Sequence, residues 1–207
     1  MKTDAAEANR PEERASRRHV LDCAARLFSR NGYAAVSLRG IAAESGMKAG
    51  SLYYHFESKD VIVTEILNIG VRRVHAAVED ALAALPAGAS TGDEVRAGIA
   101  AHLRALHEAG DYTSANIRIF GQVPPAIRDG HRGVRRDYEA LWTGLLRRGI
   151  AAGELRADIN VPRLCAFLLG AMNSSLEWLE PKRDAVARTA SELATIVLNG
   201  AATARKA

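Results

Sequence analysis

From Val63 to Leu85, apolar residues recur every three or four positions: Val63, Leu67, Val71, Val74, Val78, Leu82 and Leu85. An α-helix returns a side chain to the same face at that spacing, whereas strand side chains alternate every two residues. Ser58 is a good N-cap for such a helix, and Pro86-Ala87-Gly88-Ala89-Ser90-Thr91-Gly92 ends it. A helix from Ser58 to Leu85 is about 40 Å long at about 1.5 Å per residue.

The remainder of the 207 residues reads the same way. Aromatics make up only 5%, and abundant alanine and leucine favour helices over sheets. Helical segments are expected near 93–109, 112–122, 126–152, 161–180 and 183–203, with breaks at Gly110, Pro124-Pro125, Gly153 and Pro181. At the other end, residues 1–12 are polar and lack periodicity, which reads as a flexible tail. A helix start near Pro11-Glu12-Glu13 leads into the face Val20, Leu21, Ala24, Leu27 and Phe28, and Asn31-Gly32 stops it. No strand-like alternation occurs, so the expected class is all-α with about nine helices.

Composition removes several functions. The chain is 48% hydrophobic and 25% charged, as a folded globular protein should be. Its longest uncharged run, Leu164 to Leu176, is thirteen residues, short of the roughly 20 that a membrane span needs. No apolar stretch follows the N-terminus as in a secretory signal, so a cytoplasmic protein without membrane partners is expected. Cys23 and Cys165 read as small buried hydrophobes. There is no Gly-rich phosphate loop, HExxH or GxSxG, and the six histidines are scattered. His102 and His107 are five apart, off the i, i+4 spacing of two ligands on one helix face. No catalytic residue, metal site or cofactor is therefore expected, and no enzyme.

The net charge is +4, and the first 75 residues carry twelve Lys/Arg against nine Asp/Glu. An anionic partner for that end is a reasonable first reading. The stretch that makes it specific is SLRGIAAESGMKAGSLYYHFESKD, Ser37 to Asp60. Ser37 caps one short helix, Gly46 supplies a tight turn, and a second short helix follows, which is the helix-turn-helix arrangement. Leu38, Ile41 and Ala42 face inward, as do Leu52 and Phe56. Lys48, Ala49, Ser51, Tyr53, Tyr54 and His55 are left to face outward, where the major groove of DNA would admit them. From spacing alone, Tyr53 and Tyr54 fit equally a plain three-helix core.

GSLYYHFESKD (Gly50 to Asp60) resembles the most recognisable segment of the TetR family of bacterial transcriptional regulators, and FSRNGYAAVSLRGIAAESGMKAG (Phe28 to Gly50) is similar to what precedes it there. The family segment covers about residues 15–75. The resemblance implies a helix-turn-helix DNA-binding domain over 13–60 and a larger effector-binding and dimerisation domain over 61–207. It implies DNA contacts from Lys48, Gly50, Ser51, Tyr53, Tyr54 and His55, phosphate binding at Lys59, and backbone or base contacts at Ser37 and Arg39. Arg39 alone among these can read guanine bidentately.

The resemblance further implies a homodimer through the last two helices, a palindromic operator, and repression relieved by a small-molecule effector acting through the long fourth helix. Two stripes are compatible with that pairing: Val186, Ala190, Leu193 and Val197; and Cys165, Leu168, Met172, Leu176 and Leu179. Candidate effector contacts are His102, Asn116, Phe120, Tyr138, Trp142, Asn173 and Trp178. FLLGAMNSSLEWLEP (Phe167 to Pro181) resembles a helix of TetR-family regulators of fatty-acid and steroid catabolism, whose effectors are acyl-CoA thioesters. The shared features are Trp178 and Pro181, while Glu180 stands where many of them carry a basic or aromatic residue. The competing reading is a helical protein-interaction adaptor that does not bind DNA.

Overall fold

Every regular element in the computed structural model, which describes residues 4–180 and 182–201 with side chains from residue 13, is an α-helix. In order they are α1 (Asp4–Ala35), α2 (Leu38–Glu44), α3 (Ala49–His55), α4 (Lys59–Ala83), α5 (Thr91–Glu108), α6 (Asp111–Ile119), α7 (Pro125–Ala151), α8 (Val161–Trp178) and α9 (Arg183–Ala201). The all-α expectation and the order of the segments hold among these residues. The expected break at Pro181 and the end of the last segment, 202–203, lie outside them. No helix among the described residues is long and apolar enough to cross a membrane.

Among the boundaries that differ from the sequence expectation, three have a clear local reason. Helix α1 begins ahead of Pro11, because Ala5, Ala6, Glu7 and Ala8 are strong helix formers and proline's fixed φ is itself helical. Gly32 interrupts it with φ 78 and ψ 176, a region that only glycine occupies without strain, rather than the left-handed helical region. Helix α4 stops at Ala83, where Leu85 N–H turns back to the Leu82 carbonyl at 3.2 Å. The cause is Pro86, which disfavours helical backbone in the residue before it.

The chain divides into two compact units. The first holds the residues up to Gly70 together with Asp111–His131, so it includes α6, which the expected 61–207 domain would assign elsewhere. Its core joins Val20, Ala24 and Phe28 of α1 to Ile41, Leu52 and Phe56, and to Ile62 and Ile66 of α4. Helix α6 is pinned to α1 by polar contacts. The Tyr112 hydroxyl donates to Asp22 at 2.7 Å, and the Ser29 hydroxyl donates to Asp111 at 2.8 Å. Asn116 donates to the Leu67 carbonyl at 2.8 Å, and a Cβ at Gly70 would stand 2.9 Å from the Tyr112 carbonyl oxygen.

The second unit holds Val71–Gly110 and the residues from Arg132 onward. Trp142, fully buried, lies against Gly98, where a Cβ would come within 2.9 Å of the indole. Ser90 and Asp93 form a capping box at the start of α5, and the Thr91 N–H donates to Glu154 at 2.7 Å. Arg156 fastens the segment between α7 and α8 to the end of α9 through the Ala201 and Gly200 carbonyls at 2.9 and 3.2 Å.

The two stripes expected to pair two copies are largely spent within this unit: Cys165, Leu168, Met172, Val186 and Ala190 are buried, and Leu176, Leu179, Leu193 and Val197 are half-buried. The faces left outward carry Phe167 and Trp178 on α8 and Ile196 on α9, exposed by 68, 62 and 71%. Helices α8 and α9 have apolar residues on more than one face, and periodicity does not say which face stays within the chain.

Gly32→Ala should destabilise the protein by about 1–3 kcal/mol, since alanine must occupy a glycine-only conformation there. Its added carbon would also stand 2.9 Å from the Gln122 side chain. An unchanged midpoint in urea unfolding would contradict this.

Candidate nucleic-acid interface

The Ser37 hydroxyl accepts the Gly40 N–H at 3.1 Å and starts α2. At its far end Ser45 donates to the Ile41 and Ala42 carbonyls at 2.9 and 3.1 Å, and Gly46, at φ 65, reverses the chain. Met47 N–H closes the turn on the Ala42 carbonyl at 2.9 Å. Helix α3 then hangs on Leu52 and the adjoining Phe56, both buried. These two anchors fix which way the helix faces.

The outward side is as the helix-turn-helix spacing expects. Lys48, Gly50 and Ser51 are exposed, with Tyr53 at 55% and Tyr54 at 76%. The two tyrosines are thus not core residues. His55 is half-buried, with Nε2 3.4 Å from the Ser16 hydroxyl and its ring edge-on to Tyr54 at 5.4 Å. Arg39 is exposed on α2, and among the described residues neither its side chain nor that of Lys48 has a hydrogen-bond or ion-pair partner. A Cβ at Gly50 would meet nothing within 4 Å, so the fold does not demand glycine there. The side therefore offers two uncommitted cations, a hydroxyl and two phenols, a set suited to phosphates and base edges.

Lys59 behaves differently from a simple surface cation. Its ammonium donates to the Tyr33 and Val36 carbonyls at 3.0 and 3.1 Å, and lies 3.8 Å from the centre of the Tyr33 ring. One of its three N–H bonds remains for an outside acceptor. Beside it the Tyr33 hydroxyl donates to Asp60 at 2.9 Å, and burial together with that carboxylate pushes the Tyr33 pKa up to about 12. Arg17 was not legible as part of this arrangement. It pairs with Glu65 on α4 through both guanidinium nitrogens and lies 4.5 Å over the Phe56 ring. The partners are 48 positions apart in sequence, so no local pattern announces them.

The candidate effector residues are distributed over both units. In the second, His102 Nδ1 lies 2.6 Å from the Tyr138 hydroxyl, with the two rings stacked 5.9 Å apart. His75 and Trp142 pack on the Tyr138 ring at 5.3 and 6.5 Å. Burial lowers the His102 pKa to about 4, opposed by the Asn173 side chain, so the imidazole is neutral and one of its nitrogens is an acceptor. Burial raises the Tyr138 pKa.

The other three candidates make different contacts. Asn116 and Phe120 belong to the first unit, Asn116 committed to Leu67 and Phe120 edge-on to His131 at 5.9 Å. Trp178 is exposed. Both cysteines are buried, and burial raises both thiol pKa values.

Because the folded His102 pKa lies below its ordinary 6.5, its contribution to stability is complete above 6.5 and declines as pH falls towards about 4. NMR titration should therefore find His102 neutral at pH 5. Protonation near 6.5 would show that it is not enclosed as described.

Two family models account for most of the chain. Residues 20–66 match "Bacterial regulatory proteins, tetR family", and residues 88–201 match "Tetracyclin repressor-like, C-terminal domain". The HTH-type transcriptional repressor KstR2 of Rhodococcus jostii is 29% identical over 192 residues, covering 90% of this chain and 91% of that protein. Among solved structures, the TetR family regulator PfmR of Thermus thermophilus superposes with a TM-score of 0.76 at 26% identity, covering 90% and 96% of the two chains. FadR of Bacillus subtilis, solved with stearoyl-CoA, gives 0.75 at 17% identity over 88% and 98%, a likeness of fold. With a helix-turn-helix in the first model's span and a helical body in the second's, the chain belongs to the TetR family of bacterial regulatory proteins, and is a DNA-binding transcriptional regulator.

Proposed function

We propose that the outward side of α2 and α3 reads an operator, and that the protein is a dimeric repressor which a small molecule releases from DNA. The observation that carries this reading is the exposure of Tyr53 and Tyr54 beside the unpaired Arg39 and Lys48. Two adjacent phenols on a short helix cost solubility unless they contact something, and the two cations suit a polyanion. Tyr53 and the remaining N–H of Lys59 anchor the phosphate backbone. Arg39, Lys48 and Ser51 read bases, Tyr54 and His55 stand beside them, and Gly50 leaves room for close approach. Ser37 keeps its O–H free for a phosphate while its oxygen caps α2. These residues form the DNA-binding domain expected over 13–60, and the body expected over 61–207 serves effector and dimer.

Two copies join through the outward sides of α8 and α9, where Phe167, Trp178 and Ile196 would otherwise remain in water. Two-fold symmetry then requires a palindromic operator. The effector's polar group meets His102, Tyr138 and Asn173, with Trp142 supplying apolar wall. An acyl-CoA thioester is the first class to try, in keeping with the resemblance of Phe167 to Pro181 and with a fold that accommodates stearoyl-CoA in FadR. The ligand shifts the equilibrium only by its differential affinity for the DNA-bound and free states. Such a regulator works in the cytoplasm, where a bacterial chromosome lies.

Selection of the purified protein against a random duplex library at physiological salt tests the reading. It should return one palindromic motif with half-sites about one helical turn or more apart. Failure to recover duplex above background would favour the adaptor alternative, which does not bind DNA. On the recovered operator, Tyr53→Ala should weaken binding about tenfold on matched and mismatched sites alike. Arg39→Gln should cost about 1–3 kcal/mol and relax preference at one base pair in each half-site. Unchanged affinity of both variants would mean that another surface meets DNA.

A further inference from the structure

Outside the residues discussed so far, the second unit carries a groove of about 470 Å³ between α5 and α9. Its floor is apolar and small-residued: Ala100, Val186, Ala190 and Ala194. Its walls carry Arg96, Arg104 and Arg183, with Glu108 as the one acidic residue lining it. Arg96 faces Asp93 at only 4.0 Å, and among the described residues Arg104 and Arg183 have no ion-pair partner. His107 is committed to the Ser175 hydroxyl at 3.0 Å, and burial lowers its pKa. The groove thus pairs an apolar floor with uncompensated positive charge.

Its dimensions choose among occupants. From Arg96 to Glu108 along α5 is roughly 18 Å at about 1.5 Å per residue. A volume of about 470 Å³ lies in the range of small-molecule sites, about 300–1,000 Å³, rather than in that of a docked helix about 10–12 Å across. An extended peptide would also fit poorly, because the floor of helix side chains supplies no partners for its N–H and C=O groups. A single hydrocarbon chain needs no such partners. Guanidinium groups bind carboxylate and phosphate equally well by geometry.

We infer that the α5–α9 groove binds an anionic amphiphile, its alkyl chain lying along Ala100, Ala190 and Ala194 and its carboxylate or phosphate head held by Arg104 and Arg183. The site is separate from the buried His102–Tyr138 cluster and does not depend on the DNA-binding reading, since its occupancy is measured directly.

Calorimetric titration of the full chain with decanoate, decyl phosphate and decanol, below micelle-forming concentrations, tests it. The two anions should bind saturably at one per chain, and decanol at least tenfold more weakly. If only one anion binds, the head-group preference is set and the site stands. The double variant Arg104→Gln/Arg183→Gln should lose at least tenfold in affinity. Ala187→Phe, at an exposed position on the groove wall, should abolish binding by filling the space. All three positions lie outside the core, and circular dichroism of the variants should match the parent. Absence of saturable binding overturns the proposal, and so does binding that every variant retains. Loss in the arginine variant with full retention in Ala187→Phe also overturns it, because a surface ion pair would then suffice.

Discussion

The burial of Leu52 and Phe56 is the contact on which the outward side of α3 depends. Helix α3 has seven residues, far below the length at which a helix persists in water by itself. Each buried side chain contributes about 1.5–3 kcal/mol, and together they hold the helix against Val20, Ala24 and Phe28 of α1 and Ile62 and Ile66 of α4. With both anchors on one side, Lys48, Ser51, Tyr53 and Tyr54 have no inward alternative. The outward orientation of these residues is therefore a consequence of core packing, and no polar contact among them is required to set it.

Around that core the polar contacts act at the seams. Lys59 draws the Tyr33 and Val36 carbonyls onto the start of α4, and Arg17 ties α1 to Glu65 while covering Phe56. The helix-turn-helix is thus gripped from α1 and α4 together. Helix α6 is held to α1 and α4 through Tyr112, Ser29 and Asn116. Helix α6 therefore belongs to the unit that carries α2 and α3.

The second unit makes the opposite choice and encloses its polar groups. His102, Tyr138 and Asn173 lie among apolar side chains, so the histidine stays neutral and its proton affinity is low. Such a cluster costs desolvation that a leucine or phenylalanine would not. The α5–α9 groove, by contrast, keeps its arginines in water and its apolar residues beneath them.

Much of the architecture was legible in the residues alone. The 3–4 spacing from Val63 to Leu85 specified α4, the Ser37 and Ser58 hydroxyls marked helix starts, and Gly46, Gly110 and Gly153 all adopt the positive φ that a break at glycine implies. The string from Ser37 to Asp60 carried its helix-turn-helix within itself, because caps, turn and anchors there are all local. What only the tertiary structure decided is everything that depends on distant partners. Exposure of Tyr53 and Tyr54 was settled by which side of α3 the core claimed. The stripes on α8 and α9 that periodicity marks as apolar turned out to be mostly the chain's own core, leaving Phe167, Trp178 and Ile196 outside. Grouping His102 with Tyr138, and committing Asn116 to the Leu67 carbonyl, likewise followed from packing. Periodicity shows that a helix has a face; which neighbour covers it is set by contacts between residues tens of positions apart, and these leave no local trace in the sequence.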